Sequence, residues 1–344
     1  MKKKFLLTFS AFALVFTTVF AAAGSRAKTD DLALMLPESD GVVVVDVKRL
    51  FDQALPQILS ANEPMLLKVN TEVEKIRSKT GLDLRKFDRV AIGFKTVQME
   101  GGKIDFQPLL LARGNADPKS VADSADLASG GTVRTETIAG RTVHIFSAKH
   151  IIDKNKPVGK SGGSLLEKMM DKVAGGLSEE AAITAYDENT VALGTVDRVR
   201  ALLGDSPRIG SELMGLLNQK PNAMANFGFV LPEGMSTFFE LEDDDLGQGL
   251  DAVRQMNGSL DVVPGKTILS IGARTADQTQ AENLEVMLQG FQGVFSMILK
   301  KQKGADKQVY GRMLENLAVG RKADLVTIDL EIAQKDLDVI VGKK

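Results

Sequence analysis

Leu36-Pro37-Glu38-Ser39-Asp40-Gly41-Val42-Val43-Val44-Val45-Asp46-Val47 reads as a polar turn that runs into a strand. Four successive valines are stiff at χ1 and suit a pleated surface better than a helix. Lys48 to Leu59 then changes period: Leu50, Phe51, Ala54, Leu55, Ile58 and Leu59 recur at helical spacing, and Pro56 is placed to kink that helix or start a new one. Pro64 is placed to open a second helix carrying Leu66, Val69, Val73 and Ile76, and Gly81 to end it. A helix with one apolar face needs a surface to cover. This segment therefore predicts helices laid on a sheet.

The same alternation continues along the chain. Arg89 to Phe94 and Ile104 to Arg113 read as strands joined by a turn at Gly101-Gly102, and Pro118 to Leu127 as a helix. Val133–Ile138 and Arg141–Phe146 form a hairpin around Ala139-Gly140, and Ala182 to Gly194 a second one turning at Asp187-Glu188-Asn189. Val196 to Leu203 is a helix, closed by Gly204 in a positive-φ cap before Pro207. Gly265-Lys266 leads through a strand to Ala273-Arg274 and a helix, as Gly102-Lys103 leads to Ala112-Arg113 and a helix; the strand Asp324 to Ile332 feeds the helix Gln334 to Val341, as Val191 to Thr195 feeds Val196. The fold class expected is α+β, with mixed, largely antiparallel sheets covered by helices and an internally duplicated two-layer α/β unit. Residues 24–205 and 206–344 are expected as its two domains, meeting where Gly204, Pro207, Gly210 and Pro221 cluster.

The first residues form an address. Lys2, Lys3 and Lys4 precede the apolar run Phe5 to Phe20 and then Ala21-Ala22-Ala23, so residues 1–23 have the three regions of a signal peptide with a cut after Ala23. An uncleaved anchor is the alternative, since the uncharged run could just span a bilayer. Removing residues 1–23 takes three lysines and no acid, which moves the net charge from −2 to −5. The expected location is periplasmic or secreted, with membrane contact only through this leader. The 344 residues contain no Cys, which excludes a disulfide scaffold, a thiol nucleophile and a Cys-ligated metal, and removes any risk of mispairing in an oxidising compartment. No basic block in the body of the chain suits nucleic acid.

The turn and strand Leu36 to Val47, with Thr80-Gly81-Leu82-Asp83-Leu84 running through Phe87-Asp88-Arg89-Val90, resemble uncharacterised exported bacterial proteins built from loosely repeated α/β units. The resemblance implies no activity, ligand or catalytic residue.

Catalytic motifs fail their context tests. Gly159-Lys160-Ser161-Gly162-Gly163 fits a nucleophile elbow, yet no strand precedes it and His144 and His150 both lie upstream of Ser161. The same Gly-Lys-Ser lacks the first glycine of a phosphate loop, because position 154 is Lys. The segment Asp153 to Gly163 reads as a loop. His144 alternates with Val143 and Ile145 in a strand and is expected on the solvent face. Glu240 to Asp245 is acidic without the ligand spacing of a calcium loop, and its last residues are expected to cap a helix Leu246 to Met256. No catalytic, cofactor-binding or metal residue is assigned, and no cofactor is expected.

The clearest feature is a long helix, Gln278 to Lys301, whose Leu284, Met287, Leu288, Phe291, Val294, Phe295, Ile298 and Leu299 make one continuous stripe. Its first reading is a core face, with Leu288 and Phe295 packed inside; its second is a groove for an apolar ligand or peptide. The function expected is a non-enzymatic envelope protein that binds another protein or an apolar ligand, or serves as a scaffold. The alternative is a carboxylate-based hydrolase.

Overall fold

The computed structural model describes residues 31–98, 104–114, 118–147, 180–232 and 245–342, with 149, 175 and 177. The leader 1–23, the turn at Gly101-Gly102, His150, the segment Asp153 to Gly163 and the acidic residues Glu240 to Asp244 lie outside the described residues.

In chain order the elements are α1 (Asp31–Leu34), β1 (Gly41–Asp46), α2 (Val47–Arg49), a π-helical turn (Leu50–Ala54), α3 (Leu55–Ile58), α4 (Glu63–Thr80), β2 (Phe87–Gln98), β3 (Ile104–Gly114), α5 (Pro118–Ser129), β4 (Val133–Ile138), β5 (Arg141–Phe146), β6 (Ala181–Asp187), β7 (Thr190–Thr195) and α6 (Val196–Leu203). There follow α7 (Ser211–Leu217), β8 (Ala225–Val230), α8 (Asp245–Ala252), β9 (Val253–Val263), β10 (Lys266–Thr275), α9 (Gln278–Lys300), α10 (Ala305–Glu315), β11 (Ala318–Lys322), β12 (Leu325–Ala333) and α11 (Gln334–Val341). The fold is α+β, and the strand pairs within each unit run antiparallel.

The described chain gathers into two compact units, one of residues 31–48 and 67–211, the other of 49–66 and 212–342. Inside the first, the strand order is β1-β2-β3-β7-β6-β5-β4. Leu109, Leu111, Val143, Ile145 and Ala192 of its strands are buried with Val121 of α5 and Val199 and Leu202 of α6. The outer strand β4 carries Arg134 and Glu136, which pair with each other, with Glu180 and with Arg200; charged side chains on an exposed edge discourage strand addition.

Inside the second unit the order is β8-β9-β10-β12-β11. Leu260, Val262 and Val326 of its strands are buried, as are Ala281, Leu284 and Val309 of α9 and α10. Residues 49–66 join this unit through bonds between distant parts of the chain: Gln57 donates to the Val263 carbonyl at 3.1 Å, and Gln334 donates to the Gln57 carbonyl at 2.8 Å.

The two units share an internal plan. Each begins with a three-strand meander (β1-β2-β3, β8-β9-β10), continues into a helix (α5, α9), and returns through a hairpin (β6-β7, β11-β12) whose second strand pairs with the third strand of the meander. The registers agree as well. Six-residue β1 pairs with β2 from Gly41↔Phe94 to Asp46↔Arg89, and six-residue β8 pairs with β9 from Ala225↔Leu260 to Val230↔Gln255. At the far end of each meander one residue is extra: Arg113 pairs Arg89 but Gly114 pairs Phe87, and Arg274 pairs Gln255 but Thr275 pairs Val253. A β-bulge at one register position is a designed feature. Here it occurs twice. Both hairpins turn on two residues, Glu188-Asn189 and Ala323-Asp324, and the turn accepts the same backbone bond, Gly114 N–H to Asn189 O at 2.8 Å and Thr275 N–H to Asp324 O at 2.9 Å.

Several expectations need correction. The helix placed at Leu246 to Met256 ends at Ala252, and Val253 begins β9: the backbone of Gln255 to Leu260 is paired on both sides, by β8 and β10, which outweighs its polar side chains. Gly204 closes α6 at φ −92°, not at positive φ, and its N–H bonds to the Arg200 carbonyl, so α6 stops without a left-handed residue. Pro56 does start a new helix, α3, after a π-helical turn. Gly81 has φ +72° where α4 ends, and Ala139-Gly140 turns with both φ positive, at 48° and 76°. The largest correction concerns α9. Its core face is confined to the first turns, and Phe295, expected inside, is 52% exposed, while Leu288 is half-buried.

Candidate functional site

Three features of the described residues combine charge, burial or exposure in ways that a bare framework does not require. Two are matching polar brackets. In the first unit, α6 presents its Arg198 side chain inward, and the residue is 5% exposed. Its guanidinium donates to the Glu38 carbonyl at 2.8 Å and to Ser39 Oγ at 2.6 Å, pinning the turn that precedes β1. Gly93 of β2 lets that turn lie close, since a Cβ there would come within 2.7 Å of Ser39 Oγ. Asp40 accepts from Lys95 at 3.0 Å with one oxygen, and from the Thr96 N–H and hydroxyl at 2.7 and 2.5 Å with the other. Burial pushes the Arg198 guanidinium down to about 10, against the pull of the Asp40 and Glu38 carboxylates. Burial alone would lower Lys95 too, but Glu38 and Asp40 more than offset it and leave the ammonium above its ordinary value.

The second unit repeats the device with different residues. Arg49, 7% exposed, donates to the Asn222 carbonyl at 3.0 Å and to Asp261 Oδ1 at 2.8 Å. Asn222 stands three residues before β8, as Glu38 stands three before β1. Asp261 follows Leu260, the partner of the first residue of β8, just as Lys95 follows Phe94, the partner of the first residue of β1. The charge at that position is reversed, and so is the charge that answers it. Burial raises the Asp261 carboxyl above its ordinary range, opposed by Arg49 and by the amides of Val262 and Met224. In both brackets the terminal guanidinium nitrogens are spent on the protein itself, while the buried Nε of Arg198 has no hydrogen-bond partner among the described residues. The brackets hold the first strand of each unit in register, and their chemistry is positional.

The third feature is the second half of α9. Val286 to Leu299 contains no charged residue, and within it Val286, Val294, Phe295, Met297 and Ile298 are 62, 55, 52, 59 and 45% exposed. The first half of the helix is fixed: Asp277 caps it by accepting from Gln280 N–H at 2.9 Å, Ala281 and Leu284 are buried, and Arg321 of β11 donates to Glu285 at 2.9 Å. Gln292 donates to the Leu314 and Leu317 carbonyls, which ties α10 alongside. Beyond that point the helix carries large apolar side chains into solvent. Phe291 and Phe295 pack against each other with rings tilted by 44° and centroids 6.2 Å apart. These exposed apolar side chains make the second half of α9 the candidate binding surface of the described chain.

The motifs weighed in the sequence do not come together here. His144 sits in β5 opposite Thr135 and Ile183, half-exposed between the buried Val143 and Ile145, as period two requires. Ser161, His150 and Glu240 to Asp244 lie outside the described residues. Among the described residues no group of three or more His, Asp or Glu converges on a metal position, and no helix is long and apolar enough to cross a membrane. The buried arginines were not singled out in the sequence. Arg198 offered one signal, a charge between the apolar Val196 and Val199 of a short helix.

No protein-family model and no curated protein matches the chain. Solved structures similar to it include crystal forms III, IV and I of TP0453, at 9, 11 and 10% identity, with TM-scores of 0.43, 0.44 and 0.41. The matches cover 93, 91 and 92% of this chain and 99, 96 and 98% of those chains.

Proposed function

We propose that this chain is an exported envelope protein of non-enzymatic type, built from a duplicated α+β unit, which holds an apolar ligand or an apolar segment of another protein on the second half of α9. The exposure of Phe295 and Ile298 in a charge-free helical run carries this reading. The duplication sharpens it. Where the first unit uses the 12-residue α5, the second uses the 23-residue α9 followed by α10, so the apolar overhang is an addition to a shared frame. Additions to one copy of a repeat are where binding faces are built. The lysine-led apolar leader and its three alanines support export, and N-terminal sequencing of protein recovered from the exported fraction is expected to begin at Gly24. A chain that began at Met1 would turn the leader into an anchor.

Binding is tested with the apolar probe N-phenyl-1-naphthylamine. The wild-type protein is expected to bind it saturably, and a Phe295→Ser, Ile298→Ser double variant to lose at least about tenfold in affinity while its stability changes by less than about 1 kcal/mol per site, because exposed side chains leave no cavity. Equal probe binding by the variant overturns the reading. So does a loss of 2 to 5 kcal/mol, the size expected of a core truncation.

A further inference from the structure

We propose that two copies of this chain pair antiparallel through α9, about a twofold axis that crosses the helix between Phe291 and Gln292. Glu282, Val286, Gly290, Gly293, Met297 and Lys301 follow one another at spacings of four, four, three, four and four, which keeps them on one face of the helix and its C-cap. All six face solvent. Val286 and Met297 are among the most exposed large apolar residues of the described chain, at 62 and 59%, the Glu282 side chain is 60% exposed, and a Cβ built on Gly290 or Gly293 meets nothing within 4 Å.

The order of residues on this face reads as acid, apolar, glycine, glycine, apolar, base, and it is symmetric about its midpoint. When the helix meets a second copy of itself running the other way, Glu282 faces Lys301, Val286 faces Met297 and Gly290 faces Gly293, each twice. A twofold interface requires this kind of self-complementarity, in which residue i meets j and j meets i. The central glycines are poor helix formers that pack against nothing among the described residues, and their place at the crossing lets two backbones approach. Glu282 is free to turn to a partner because its ion pair with Arg321 is long, at 3.8 Å, and Arg321 keeps Glu285 at 2.9 Å. The charges also discriminate between occupants. An anionic lipid surface would attract Lys300, Lys301 and Lys303 but repel Glu282 and Glu285 at the other end, whereas a second copy answers both ends. This face lies on the other side of the helix from Phe291 and Phe295, so the pairing does not depend on the ligand-binding reading.

A seam of one helix per copy is small, so the dimer is expected to be weak, with a dissociation constant on the order of 10 to 100 μM, visible by sedimentation velocity between roughly 1 and 500 μM. Glu282→Lys and Lys301→Glu each place like charges across the seam twice and should each weaken the dimer about tenfold or more, while the double variant exchanges the charges and should return to within about threefold of wild type. Circular dichroism confirms that these exposed substitutions leave the fold intact. The chain has no Cys, so introduced thiols report geometry directly. When Val286→Cys and Met297→Cys proteins are mixed and oxidised with copper phenanthroline, the mixed disulfide should exceed either homodisulfide. A monomer at every concentration, a dimer indifferent to both charge reversals, or homodisulfides in excess would each overturn the proposal. A monomer that sediments with phosphatidylglycerol vesicles would overturn it in favour of a lipid surface.

Discussion

Arg49→Ala is expected to cost about 3 kcal/mol at pH 7 and distinctly less near pH 4. Removing one partner of a buried ion pair leaves the other charge uncompensated, which costs about 3 to 5 kcal/mol for a dry pair. The lower end applies, because the Asp261 side chain keeps 26% of its surface in water. The pH dependence follows from Asp261. Its folded carboxyl already titrates above its ordinary value because burial disfavours the anion, and Arg49 is the main opposing pull. A raised folded value contributes stability that is present below the unfolded pKa and is lost as pH rises through the folded one. Without Arg49 the folded value rises further, so that loss grows. As pH falls toward 4 more of the variant's carboxyl is protonated, so the uncompensated charge shrinks and the loss approaches that of the bonds to the Asn222 carbonyl and to Asp261. Urea denaturation at the two pH values checks this, and Arg49→Ala combined with Asp261→Asn should regain part of the neutral-pH loss. Equal losses at pH 4 and pH 7 would mean that Asp261 does not sense Arg49.

The parts of the fold legible in the sequence are those whose cause is local. Four valines in a row, a glycine ending α4 and the Ala139-Gly140 turn each specify their own conformation within a few residues, and β1, α4 and the β4-β5 hairpin formed where they were read. β9 was missed because Gln255, Asn257 and Ser259 are held by strands on both sides, and neither neighbour is visible in the segment itself. α10 and β11 were passed over for a related reason: β11 is five residues long and is held by β12 and by Arg321 bonding to α9.

The candidate site was legible in composition and illegible in placement. An apolar stripe at helical spacing looks the same whether a sheet or another molecule covers it. What decides is what the helix meets: α9 is bonded to β11 at Glu285 and to the carbonyls of Leu314 and Leu317 at Gln292, and beyond that point Phe295, Met297 and Ile298 are exposed. The brackets were harder still. Arg198 looks like a surface charge on a short helix, and its burial depends on Glu38 and Ser39, about 160 residues away in sequence.

Arg198→Ala is accordingly expected to destabilise the protein by about 3 kcal/mol, or roughly 6 to 12 °C in melting temperature for a unit of this size. Two hydrogen bonds from a charged donor are lost, each worth about 1.5 kcal/mol or more, and the buried side chain leaves a space behind it. Against this stands the cost of holding the cation away from water, which is why its folded value falls to about 10, well below that of a free guanidinium. That depressed value means the charge by itself opposes folding at neutral pH, and the opposition is relieved only as pH rises through about 10 toward the ordinary guanidinium value. The bonds must outweigh it for the side chain to stay inside. Replacement by an apolar residue does not escape the loss, because the Glu38 carbonyl and Ser39 hydroxyl stay where they are and lose their donor. Arg198→Lys should fall within about 1 kcal/mol of the alanine variant, since a single ammonium cannot present two donors in the fixed fork that reaches both acceptors. An alanine variant within about 1 kcal/mol of wild type would show that Pro207 and Phe94, which already bond the Glu38 and Asp40 amides at 2.7 Å, hold the turn before β1 without the arginine.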